Sequence, residues 1–242
     1  MTSSLGYESD TEFIAAHFQP AVLTELALSR GVSDYALLRG ARLRLDEIKA
    51  ATTLISPSQY LTLIKNAMQG MEADDSGFQL GHRLLPGYYG AVSQVLQQSR
   101  NLRQALNFFR DFHALLTPLM RLQYYETDDS VVIHWNTSCA EDERLRFLLE
   151  ANTSALLSMV NWLSGEKLDW RFHFDFSSPG YDEQYWVHLG DDVHFDQAMN
   201  EIIVPRSSME KAWCDGTLLG IHGALEQARV QKAVLSIESS FV

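Results

Sequence analysis

The stretch Trp170-Arg171-Phe172-His173-Phe174-Asp175-Phe176 alternates without a break between large aromatic and polar side chains. Successive side chains of an extended chain point to opposite sides, so a period of two predicts a strand with one strongly apolar face. The other face then carries Arg171, His173 and Asp175. Just upstream, between Glu141 and Ser164, Leu145, Leu148, Leu149, Leu156, Met159 and Leu163 recur at helical spacing, and Gly165 supplies a stop. A long amphipathic helix followed at once by an aromatic strand face predicts a helix packed on a sheet.

Working outward, Leu122 to Glu126 and Val131 to Trp135 are β-favouring runs around Asp128-Asp129-Ser130 and predict a hairpin. Val193 to Phe195 and Ile202 to Val204 predict two further short strands, with a short helix over Tyr181 to Leu189 before them. The sheet then has about five strands. Everything before Pro118 reads as helical. Pro20 to Arg30 is a short amphipathic helix closed by Gly31, and Ser33-Asp34 opens another that Gly40 ends. Ser56-Pro57-Ser58-Gln59 has the form of a capping box with Pro at the first helical position, and Asn101 with Gln104 repeats that logic. Asp74 to Leu84 predicts one more helix, and Thr217 to Ile237 a last one with Leu218, Ile221, Leu225 and Ala228 on one side.

The fold class expected is therefore α+β, with a helical N-terminal bundle packed against a small, largely antiparallel sheet with helices. The expected organisation is a flexible opening at 1–17, a helical subdomain at 18–120, a sheet-plus-helix subdomain at 121–213, and a linker or dimerisation helix at 214–242.

Composition narrows the function classes. Nineteen Lys plus Arg against 31 Asp plus Glu give a formal net charge of -12, so the long-range field repels phosphate and nucleic acid is a poor partner for this chain alone. No apolar run is long enough to span a bilayer, the opening lacks a signal-peptide build, and Cys139 and Cys214 are not spaced as a redox or metal pair. A cytoplasmic protein without a membrane partner is expected. GxSxG, GxxxxGK, GxGxxG and HExxH patterns are missing, and the histidines are scattered, so neither enzyme, metal nor cofactor is expected.

Several stretches, in order, resemble the N-terminal domain of one branch of the AraC-type transcription regulators, a domain often labelled arabinose-binding. They are Leu26-Ala27-Leu28-Ser29-Arg30-Gly31-Val32 with Leu37-Leu38-Arg39-Gly40, Ile55-Ser56-Pro57-Ser58-Gln59-Tyr60, and Phe78-Gln79-Leu80-Gly81. Asn101-Leu102-Arg103-Gln104-Ala105-Leu106, Arg146-Phe147-Leu148-Leu149-Glu150, Val193-His194-Phe195 and Asn200-Glu201-Ile202-Ile203-Val204-Pro205 continue the series. The resemblance covers Phe18 to Met209 and implies a bacterial effector-sensing module that binds a small metabolite, forms a homodimer and controls DNA only through a C-terminal helix-turn-helix domain missing from this chain. The alternatives from the residues alone are a stand-alone small-molecule-binding protein or an enzyme on a similar α+β scaffold, and a protein-interaction domain without a pocket.

The candidate ligand site lies between the helical half and the sheet. Trp170, Phe172, Phe174 and Phe176 pack on the Glu141 to Ser164 helix, which leaves Arg171, His173 and Asp175 on the opposite face. If that face is covered, Arg171 can hold a carboxylate while Tyr88 and Tyr89, beside the Pro86-Gly87 turn, close the mouth. If it is solvated, the three pair with their neighbours.

Overall fold

The computed structural model describes residues 9–85, 87, 89–137, 140, 142–213 and 218–238. It is an α+β fold built on one continuous apolar core. Short helices α1 (Gln19–Ser29), α2 (Asp34–Leu38) and α3 (Leu45–Lys49) open it, preceded by β1 (Ile14–Ala15). Strand β2 (Leu54–Ile55) pairs antiparallel with β1, a two-residue ladder that joins the expected flexible opening to the stretch that reads as helical. Phe13, Ile14, Ala15 and Ala16 are buried, so residues assigned from sequence to a flexible opening form part of the core.

Helix α4 (Pro57–Met71) starts on the expected box: Ser56 Oγ accepts from the Gln59 N–H, and Gln59 Oε1 accepts from the Ser56 N–H at 2.9 Å. Helices α5 (Ser76–Leu84), α6 (Ala91–Gln97), α7 (Leu102–Asp111) and α8 (His113–Leu116) complete this half. Asn101 caps α7 through the Gln104 N–H, whereas the Gln104 side chain reaches one residue further back, to the Arg100 N–H.

The sheet has the order β3-β4-β7-β5-β6. Strands β3 (Arg121–Glu126) and β4 (Ser130–Asn136) form the predicted hairpin. Between β4 and β5 (Arg171–His173) runs α9 (Asp142–Ser164). Helix α10 (Asp182–Leu189), β6 (Val193–His194) and β7 (Glu201–Pro205) follow. The sheet is antiparallel apart from β5 and β6, which pair parallel.

Leu122, Val131, Ile133, Trp135, Phe172, Ile202 and Val204 alternate onto the buried face. The register sets a polar row on the other: Gln123 opposite His134, His134 opposite Glu201, Glu201 opposite His173, and His173 opposite His194.

Every residue of α9 from Phe147 to Leu157 is buried, including Glu150, Asn152, Thr153 and Ser154. A helix covered all round lies at the centre of a molecule. Its closest neighbour is α5, and the two meet through glycine: a Cβ on Gly81 would overlap Ser154 Oγ and Ala151 O, and one on Gly77 would overlap Glu150. Gly165, at φ 70°, ends α9 in the left-handed region that favours glycine. The last helix, α11 (Leu218–Glu238), lies back on α6 with Ile221, Ala224, Ala228 and Leu235 buried. Among the described residues no helix is long and apolar enough to cross a membrane.

Candidate functional site

The residues singled out in the sequence fall in two places. Arg171 and Asp192 form a half-exposed ion pair at 3.1 Å, and His194 Nε2 lies 2.7 Å from the same carboxylate. His173 Nδ1 is 3.6 Å from Glu201, which His134 approaches from the other side at 3.9 Å. Asp175 is exposed, and its backbone N–H donates to Asn200. Arg171 and His173 therefore share the polar sheet face, where each already has partners. Tyr89 is buried in the helical half, edge-on to Phe18, with its N–H donating to Ser93 Oγ. Its hydroxyl, which burial holds above the usual phenol range against the pull of Gln19, lies beside that side chain. Tyr88 lies outside the described residues. Among the described residues no contact residue is common to the Arg171 and Tyr89 groups.

A different group is concentrated on α9. Glu150 is 3% exposed, one turn beyond Arg146, and α10 brings Tyr181 and Tyr185 to it. Both tyrosine hydroxyls donate to Glu150 Oε1, at 3.0 Å and 2.6 Å. Oε2 accepts nothing among the described residues. It faces Gly77, whose missing side chain leaves room for it. Burial, the largest influence, raises the Glu150 carboxyl to about 7 against the pull of the two hydroxyls and of Arg146. Burial and the neighbouring carboxylate in turn push Tyr181 to about 12 and Tyr185 further still, so both stay protonated as donors. The Arg146 guanidinium lies 5.0 Å above the Phe176 ring, and its buried Nε has no partner among the described residues.

This group opens into a cavity of about 240 Å³ lined by Met68, Ala73, Asp74, Ser76, Phe147 and Tyr181, together with Glu72, Glu143, Arg146 and Glu150. A second hollow, of about 430 Å³ and lined by Lys65, Gln69 and Arg144, shares Met68 and Glu143 with it. The walls come from α4, the turn before α5, α9 and the start of α10, so the cavity lies where the helical half meets the part that carries the sheet. One cross-link holds these walls: His82 on α5 meets Ser158 on α9 at 2.6 Å and His188 on α10 at 2.9 Å, and burial lowers both histidines from the usual imidazole value. Among the described residues no group of three or more His, Cys, Asp or Glu could hold a metal ion.

Sequence reasoning placed a cavity between the two halves but did not find Glu150, Arg146, Tyr181 or Tyr185. The signals were present as pairs four apart: Arg146 and Glu150 inside an apolar run, Tyr181 and Tyr185 on one face of a short helix, and Gly77 and Gly81 marking a close crossing.

The family model for the arabinose-binding N-terminal domain of AraC transcription regulators matches residues 31–212. No curated protein matches the chain. Among solved structures, the crystal structure of the transcriptional regulator CdpR from Pseudomonas aeruginosa superposes with a TM-score of 0.51 at 13% identity, over 91% of this chain and 65% of that one. The chain thus spans less than two thirds of that regulator, and at such low identity the likeness concerns the fold. The family match over most of the length is the stronger finding, and by it this chain belongs to the arabinose-binding-type N-terminal domains of AraC transcription regulators.

Proposed function

We propose that this chain senses a small effector in the cavity over Glu150 and passes the bound state to a DNA-binding domain elsewhere in the regulator, acting by binding and not by catalysis. The observation that carries the reading is Glu150 itself. A carboxyl group that is almost wholly buried carries a desolvation cost, and here one oxygen accepts from two tyrosine hydroxyls while the group as a whole lines a cavity whose walls belong to both halves of the fold. A ligand bound there touches α4, α9 and α10 together, so it can favour one arrangement of these helices over another, which is what effector control requires. The net charge of -12 agrees with DNA being contacted by another domain. Self-association is part of the proposal: Val230 and Val234, one turn apart on α11, are 64% and 51% exposed while the opposite side of that helix is used on α6.

The test is Ala73→Trp in a full-length regulator carrying this domain, read by a promoter fusion and by operator binding. The indole fills the cavity, so the transcriptional response to effector disappears while operator affinity without effector is kept. An unchanged response sinks the assignment.

A further inference from the structure

The lining of the cavity has a sign. Among the described residues it carries Glu72, Asp74, Glu143 and Glu150 against Arg146, and the Arg146 guanidinium is drawn onto the Phe176 ring. The deepest of the carboxylates has one oxygen saturated by two hydroxyls and the other without a donor. Oε2 takes no protein donor among the described residues and is open to the cavity, so a cationic donor arriving from that side can meet it and add to the opposite charge that Arg146 already provides. We propose that the effector carries a primary ammonium group, which seats against Glu150 Oε2 beneath Gly77, with its apolar part along Met68, Ala73 and Phe147. An anionic effector would face the surrounding carboxylates with Arg146 as its one opposite charge. This inference rests on the reading of the cavity as the effector site and adds to it the chemical class.

The groups facing Glu150 are Tyr181 and Tyr185 from α10, Arg146 and Glu143 from α9, and Glu72 and Asp74 from the turn before α5. The two tyrosines hold their protons throughout the neutral range. Glu150, held at about 7, gives its proton up when a cation binds. Binding of an ammonium ligand should then tighten about tenfold from pH 6 to pH 8 and release roughly one proton at pH 6, falling to about half a proton at pH 7.

The probes are butylammonium and butyrate, matched in size and opposite in charge, titrated into the chain to about 10 mM because so few heavy atoms limit affinity. Saturation-transfer NMR reads binding, and calorimetry in two buffers of different ionisation enthalpy reads the proton. The expected result is saturable butylammonium binding with that pH dependence and proton release, abolished in Glu150→Gln. The proton count needs no variant and stands if Glu150→Gln fails to fold. Binding of butyrate in preference, or butylammonium binding with neither pH dependence nor proton release, overturns the class but leaves the cavity as a site, provided Ala73→Trp blocks it. Absence of butylammonium binding overturns the inference, and the site reading falls with it only if Ala73→Trp also leaves the transcriptional response intact.

Discussion

At the scale of single residues, Glu150 links structure to pH. Its carboxyl is raised from the ordinary range to about 7 in the folded chain, chiefly by burial, so between those values the folded state holds a proton that the unfolded chain has released. The associated stability is present below the ordinary carboxylate range and is lost as pH rises through 7, by about 3 kcal/mol at most. Glu150→Gln keeps an acceptor for Tyr181 and Tyr185 and has nothing to ionise. Urea unfolding at pH 5 and pH 8 should show the unmodified chain losing stability relative to the Gln variant across that interval; parallel curves would mean that Glu150 titrates normally. Little in the sequence distinguishes this glutamate, because glutamates in amphipathic helices ordinarily face water.

Between elements, the crossing of α5 and α9 sets the width of the site. Gly81→Ala gains about 1 kcal/mol of helix propensity, but its Cβ runs into Ser154 Oγ and Ala151 O, part of which is backbone and cannot swing aside. Overpacking of this kind costs about 1–3 kcal/mol, and here the two helices must separate, so the net effect should be a loss of about 1–2 kcal/mol. Gly223→Ala, in α11 with nothing within 4 Å of its Cβ, should instead stabilise by about 0.5–1 kcal/mol. Chemical denaturation of both variants checks the contrast, and two changes of the same sign would refute the close crossing. The caps, the Pro positions and the hairpin were all legible from local chemistry. The β1–β2 ladder was not, since two-residue strands have no period to read.

For the whole molecule, the stripe on α11 that reads from sequence as a pairing surface is in large part occupied by α6, leaving Val230 and Val234 as the surface available to a second copy. Sedimentation should show a dimer that Val230→Glu with Val234→Glu converts to monomer without unfolding, and an unchanged mass would remove this helix from the interface. The sequence by itself determined the fold class, the hairpin and the long helix, because periodicity and capping act over a few residues and are written where they act, and its ordered motifs pointed to the family; of the alternating run Trp170 to Phe176 only Arg171–His173 is a strand. Only the tertiary structure decided which polar residues are functional candidates. Arg171, His173 and Asp175 drew notice by alternating with aromatics, yet Arg171 and His173 lie on a sheet face among partners and Asp175 is exposed beyond the end of the strand. Glu150, Asn152 and Ser154 are polar residues that no local pattern marks, and they are buried because α5, α10 and the rest of the core close round α9. Burial is a property of what packs against a residue from far along the chain, and it is burial that lifts the Glu150 carboxyl out of the ordinary carboxylate range.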